Sequence, residues 1–197
     1  MQRAAHTDKM PAMISRLSDN SAARLFFALW PAADEYTRLA AWQAPLKRLC
    51  GGRAMRGKTL HSTLVFIGEV GHERLEALYF AAQEVRGDGF GLCFDRARYW
   101  GHNHVVYAAP SHAPQSLVKL VDGLQQRLAA HRFRFDRHDY QPHVTLLRNA
   151  HWSDAPLPAM RQVNWRIGDF ALVQSVQQDG LADYRVLARF PLSPGGG

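Results

Sequence analysis

Two copies of one pattern, His-x-Thr-Leu, constrain this chain more than any other feature. They are His61-Ser62-Thr63-Leu64 and His143-Val144-Thr145-Leu146, one in each half of a 197-residue chain. Successive side chains of a strand point to opposite faces. His61 and Thr63 therefore share one face, and His143 and Thr145 share a face of another strand. Ser62, Leu64 and Phe66 point the other way, as do Val144 and Leu146. If the two halves pack face to face, two imidazoles and two hydroxyls line one cleft. From average usage a His is followed by x-Thr-Leu roughly once in 200 times. The chain has 10 His, so two matches at half-chain spacing are not expected by chance. Either histidine alone reads equally well as a residue that fills a sheet edge; the pair does not.

The flanking segments predict an α+β architecture. Residues 24–30 (RLFFALW) read as a buried strand that Pro31 ends. Helical spacing predicts helices over 33–49, ended by Gly51-Gly52, over 73–85, and over 114–131, where Leu117, Leu120, Val121, Leu124 and Leu128 form one stripe. The motif strands are expected over 59–67 and 140–147. Further strands are expected over 90–100 and 104–109, joined by the turn Gly101-His102-Asn103. A closing pair is expected over 163–176 and 184–192, linked by Gln178-Asp179-Gly180. Each half then offers strands, helices and one motif strand, as in an internal duplication. Helices on the outer faces of two pseudo-symmetric antiparallel sheets would leave a central cleft. Residues 1–22 are expected to be a flexible leader, 23–193 a single bilobal domain and 194–197 a flexible tail.

The bulk properties narrow the class of partner. A hydrophobic share of 47% is ordinary for a globular protein. No apolar run reaches the roughly 18 residues of a membrane span, and no apolar signal core follows Arg3 and Lys9. Cys50 and Cys93 lack CxxC spacing, so free thiols in a reducing, cytoplasmic setting are expected. The net charge of +7 favours a polyanion such as RNA. The charges are scattered, and only Lys9, Lys47, Lys58 and Lys119 are lysines. Charge thus supports a phosphate ligand without establishing one. A monomer is expected.

Imidazole is the side chain whose ordinary pKa, about 6.5, lies nearest neutral pH. One neutral histidine can take a proton while a second, protonated, gives one up. A 2′,3′-cyclic ribose phosphate suits that pair. Water attacks phosphorus on one side while a ribose oxygen leaves on the other, so the two imidazoles must come from opposing walls. The hydroxyls of Thr63 and Thr145 can donate to the non-bridging oxygens, where charge builds up. Lys58, Arg56 and Arg148 lie close to the motifs and can add positive charge, and Phe26 and Tyr140 can stack a base. No cofactor or metal is required. His102 and His104 lack a third ligand in sequence and are not read as a metal site.

The paired motifs resemble the HxTx signatures of the two-histidine (2H) phosphoesterases. Residues 24–31 (RLFFALWP), 60–68 (LHSTLVFIG) and 142–148 (PHVTLLR) are more closely similar to the RNA 2′,3′-cyclic phosphodiesterases, also named 2′-5′ RNA ligases. The resemblance runs from about residue 24 to 192 with order and spacing kept. It implies a bilobal fold with the site between lobes, and hydrolysis of RNA or nucleotide 2′,3′-cyclic phosphate ends to 2′-phosphomonoesters. It implies His61 as proton donor, His143 as proton acceptor, and Thr63 and Thr145 as phosphate-binding hydroxyls. Two departures stand out. Ser62 occupies a place where a bulkier or apolar residue is common, and Leu147 one where Ala is frequent. By strand alternation Leu147 shares the cleft face with His143 and Thr145, so it is expected to narrow the pocket. Two alternatives remain at this stage: reversible, ATP-independent 2′-5′ ligation in the same site, and a non-catalytic RNA-binding module.

Overall fold

The apolar run at the start of the chain becomes a central strand, β1 (Ala23–Leu29), buried at every position but Arg24. It reads as continuously apolar because both of its faces are covered. Leu25, Phe27 and Leu29 enter the main core, while Phe26 and Ala28 join Ala171 and Val173 in a small cluster on the opposite face. The computed structural model describes residues 22–56, 59–137, 139–178 and 181–195. Residues 1–21 of the expected leader, the linker residues Asp179 and Gly180, and the last two residues of the expected tail fall outside them.

Two short helices follow, α1 (Ala33–Ala40) and α2 (Gln43–Cys50), where the sequence predicts one. Pro45 explains the break. Inside a continuous helix its ring would clash with the carbonyl four residues back, whereas in a first turn its missing N–H costs nothing. The break also buries Trp42, whose indole donates to the carbonyl of Arg161 at 3.1 Å. Glu35 ties α1 into the fold: its carboxylate accepts from the backbone N–H of Ala32 and of Arg166, each at 2.8 Å.

The first four-stranded sheet has the order β10-β9-β1-β3, with β3 (Ser62–Val70), β9 (Asp169–Gln178) and β10 (Leu181–Pro191). The second has the order β2-β7-β6-β5, with β2 (Arg53–Ala54), β5 (Arg96–Trp100), β6 (Val105–Ala109) and β7 (Val144–Arg148). Neighbours are antiparallel in both. The lobes are not the two halves of the sequence. The first sheet draws strands from both ends of the chain, and the second borrows β2 from the first half. The motif strands nonetheless lie in different sheets, as the spacing predicts.

Two expected strands are each divided. The run 90–100 breaks at Asp95, whose carboxylate accepts from the backbone N–H of Ser111 at 2.8 Å and from its hydroxyl. The run 163–176 breaks at Gly168. The halves that leave the main sheets, β4 (Phe90–Phe94) and β8 (Val163–Ile167), pair with each other. Helices α3 (Leu75–Gln83) and α4 (Gln115–Ala130) pack together, and α4 also contacts β3. The five residues of the predicted α4 stripe are all buried. No helix among the described residues is long and apolar enough to cross a membrane.

A two-histidine cleft between the sheets

His61 immediately precedes β3 and His143 immediately precedes β7, so each motif strand begins one residue after its histidine. The local geometry repeats. Nδ1 of His61 lies 2.8 Å from the carbonyl oxygen of Thr59, and Nδ1 of His143 lies 2.8 Å from that of Gln141. A carbonyl only accepts, so Nδ1 is the protonated nitrogen in both rings. Each Nε2 is then the nitrogen that can take up or give out a proton. Both rings line one cleft of about 310 Å³, together with Thr63 and Thr145.

The strands carry the same irregularity at the same place. On β3, Val65 pairs with Phe27 and Thr63 with Ala28, which leaves Leu64 as an extra residue. On β7, Leu147 pairs with Val106 and Thr145 with Tyr107, which leaves Leu146 extra. The Leu of each motif is thus the bulged residue, and a bulge re-aims the side chains that follow it. Leu64 with Val65, and Leu146 with Leu147, all turn into the core. The residues five after each histidine, Phe66 and Arg148, return to the cleft. Simple alternation therefore fails for Leu147. It is fully buried and does not line the cleft, so it does not narrow the pocket as expected from sequence. The same bulge delivers Arg148, which alternation would have turned away. Gly52 supports this corner: its φ is +76°, and a Cβ there would sit 2.7 Å from the carbonyl oxygen of Arg148.

Each imidazole is held by aromatic rings. His61 stacks on Trp30 with centroids 5.3 Å apart and planes 5° from parallel. Phe26 and Tyr184 complete its surround at 5.0 and 4.9 Å. His143 meets Trp100 edge-on at 4.6 Å and Tyr107 at 5.7 Å. Such packing fixes ring orientation. Burial is the main reason that the imidazole of His61 is pushed down to about 4; the charges of His143 and Arg148 push the same way, and the hydrogen bond to Thr59 opposes them. His61 is therefore neutral at pH 7 in the free protein.

The cleft is electropositive. Arg24 and Arg148 line it, and no described lining residue is a carboxylate. The Arg24 guanidinium lies 5.0 Å over the ring of Phe66. Ser175, Gln177 and Tyr184 from the closing hairpin add polar surface. Among the described residues no three His, Cys, Asp or Glu side chains come together as a metal-ligand set.

Of the residues marked out in sequence, His61, His143, Thr63, Thr145, Arg148 and Phe26 meet in this cleft. Lys58 lies outside the described residues. Tyr140 does not line the cleft. Its hydroxyl is buried beside Ser62, burial raises its pKa far above the ordinary phenol value, and its ring lines a neighbouring cavity. Arg56 is exposed and donates to the carbonyl of Ala182 at 3.3 Å. Trp30, Trp100, Tyr107 and Tyr184 were not marked out. Trp30 had a signal, because it continues the alternation of Phe26 and Ala28 along β1. Tyr184 had none, because its place depends on the C-terminal hairpin joining β1.

The chain matches the sequence model of the 2′-5′ RNA ligase superfamily over residues 28–179. It is 32% identical over 172 residues to a protein of Escherichia coli strain K12 named RNA 2′,3′-cyclic phosphodiesterase, covering 86% of this chain and 97% of that one. A protein of the same name from Thermus thermophilus is 27% identical over 188 residues, covering 86% and 90%. The crystal structure of E. coli LigT in apo form superposes with a TM-score of 0.80 at 30% identity, covering 88% of this chain and 99% of that one. LigT complexed with 3′-AMP gives 0.79 at 30% identity, covering 87% and 98%.

Proposed function

From the fact that this chain belongs to the 2′-5′ RNA ligase superfamily, we infer that it is an RNA 2′,3′-cyclic phosphodiesterase that opens the cyclic phosphate to a 2′-phosphomonoester. The observation that carries the reading is the repeated anchoring of the two imidazoles. Each is held through Nδ1 by the carbonyl two residues back, on separate sheets, so that Nε2 is the nitrogen that exchanges the proton. A binding module has no use for two such groups.

In the proposed reaction His143 takes a proton from water as the water oxygen bonds to phosphorus. The bond from phosphorus to O3′ breaks, and His61 gives a proton to the departing O3′. The phosphate stays on O2′. Thr63 and Thr145 donate to the non-bridging oxygens, and Arg148 balances the charge that gathers there. The next turnover needs a proton restored to His61 and released from His143, through solvent.

The low pKa of His61 sets a condition on its role. An imidazole at about 4 is neutral in the empty cleft at pH 7 and has no proton to give. The anionic cyclic phosphate supplies the missing counter-charge between Arg148 and the two rings, and an adjacent anion favours the charged imidazolium. Substrate binding thus draws a proton from solvent onto His61.

The test is the product. Incubation of a 2′,3′-cyclic nucleotide with the protein in EDTA, followed by phosphorus NMR, is expected to give the 2′-phosphate as the sole isomer at undiminished rate. A 3′-phosphate, a mixture, or loss of turnover in EDTA contradicts the reading. The family's ligase description favours a second reaction in the same site, in which an RNA 5′-hydroxyl takes the place of water and a 2′-5′ linkage forms.

A further inference from the structure

Beside the catalytic cleft lies a second cavity of about 340 Å³. The two share a wall: Thr63, Phe66 and His143 line both. Each volume sits at the small end of the range of about 300–1,000 Å³ typical of ligand pockets, so each suits one part of a nucleotide better than the whole. The sheet-edge strand β3, from Thr63 to Phe66, lines the second cavity together with the rings of Trp100 and Tyr140. One side of the Trp100 indole is covered by Tyr107 at 4.0 Å, which fixes the ring in place. Asp136, Asp139 and Gln141, which precede β7, line the cavity as well, and the backbone N–H of Asp136 donates to the carbonyl of Phe66 at 3.0 Å.

The two compartments have opposite chemistry. The first holds Arg24 and Arg148 and no carboxylate; the second holds Asp136 and Asp139 and neither Lys nor Arg among its described lining. Neither aspartate forms a salt bridge with another described residue. A phosphate is drawn to the first and repelled by the second. Carboxylates only accept hydrogen bonds, so the second favours a ligand that presents N–H donors. Gln125, Asn103 and Gln141 add amides that can donate as well as accept. Aromatic surface together with mixed amide and carboxylate groups makes a site for a planar, hydrogen-bonding ring.

We propose that this cavity receives the terminal nucleobase of the cyclic-phosphate substrate and selects bases carrying an exocyclic amino group. The proposal rests on the phosphodiesterase reading above. With the phosphate held by Thr63, Thr145 and the two imidazoles, the ribose spans the shared wall at Phe66 and His143. The base then enters on the side of His143. Adenine, cytosine and guanine each bring an amino donor to Asp136 or Asp139. Uracil presents a carbonyl there and leaves a carboxylate facing an acceptor, the costlier mismatch.

The experiment compares kcat/KM of the full chain on the 2′,3′-cyclic phosphates of adenosine, cytidine, guanosine and uridine. It is repeated for Asp136→Asn, Asp139→Asn and the double variant, with thermal unfolding as the check on fold. The wild type is expected to favour the three amino-bearing bases over uridine by about tenfold, the scale of one charge-assisted hydrogen bond. The double variant is expected to bring all four within about threefold, by lowering the three and raising uridine, whose carbonyl no longer faces a carboxylate. Equal rates in the wild type, or a preference that survives in the double variant, overturns the subsite while turnover of all four leaves the phosphodiesterase reading standing. Failure to turn over any of the four overturns that reading itself.

Discussion

His61→Ala and His143→Ala are each expected to lower kcat on a 2′,3′-cyclic nucleotide by about 10³-fold, within the range a positioned acid or base contributes. The reason is geometric. Each ring offers a single Nε2 to the cleft, because its Nδ1 is committed to a backbone carbonyl. No other described histidine lines the cleft and could substitute. The two variants differ in their structural cost. His61 sits among Trp30, Phe26 and Tyr184, so alanine there removes a packing partner from three rings. His61→Asn, which fills more of that space, separates loss of packing from loss of the acid. Because the two groups act in one step, the double variant is expected to be about as slow as either single one. Steady-state rates alongside near-ultraviolet circular dichroism check this. A folded His143→Ala protein within threefold of the wild type would remove the proton acceptor from the account.

Thr63→Val and Thr145→Val are expected to lower kcat by about 10²-fold each, the lower end of the effect of one donor aimed at developing charge. Valine keeps the branched shape and the strand preference of threonine, so the change removes a hydroxyl and little else. The two positions are related by the repeated bulge, since each threonine immediately precedes the extra leucine of its strand. Their effects should therefore be similar in size. The loss belongs in kcat rather than KM, because the hydrogen bonds strengthen as charge moves onto the non-bridging oxygens. Thr→Ser at either site is expected to restore most of the rate. Equal kcat in a Thr→Val variant and the wild type would show that its hydroxyl does not touch the phosphoryl group.

The site was legible where chemistry needs a fixed local pattern. Two histidines with threonines two residues on, in separate strands, were enough to place four side chains in one cleft. Pairing is where sequence falls short. Period-two alternation placed Leu147 in the cleft, and the bulge at Leu146 moved it to the core and brought in Arg148. A bulge depends on how a strand meets its neighbour, and its own residues carry no mark of it. The symmetry of the motifs was the missed clue, since Phe66 and Arg148 stand at the same offset from their histidines. The lobes escaped for a similar reason. Nothing local says that the C-terminal hairpin pairs with β1, or that β2 crosses to the second sheet. Tyr184 reaches His61 only because of that long-range pairing. The break between α1 and α2, by contrast, was readable at Pro45.

In the proposed reaction two imidazoles, each held at Nδ1, present Nε2 to one phosphate. Nitrogen-15 NMR of the histidine rings, before and after addition of a nucleoside 2′-phosphate at pH 6 to 7, reads this directly. In the free protein both rings should show a protonated Nδ1, with His61 neutral down to about pH 4. On addition of the anion both Nε2 signals should move together, and His61 should take up a proton. Movement of only one Nε2, or a neutral His61 whose proton sits on Nε2, would contradict it.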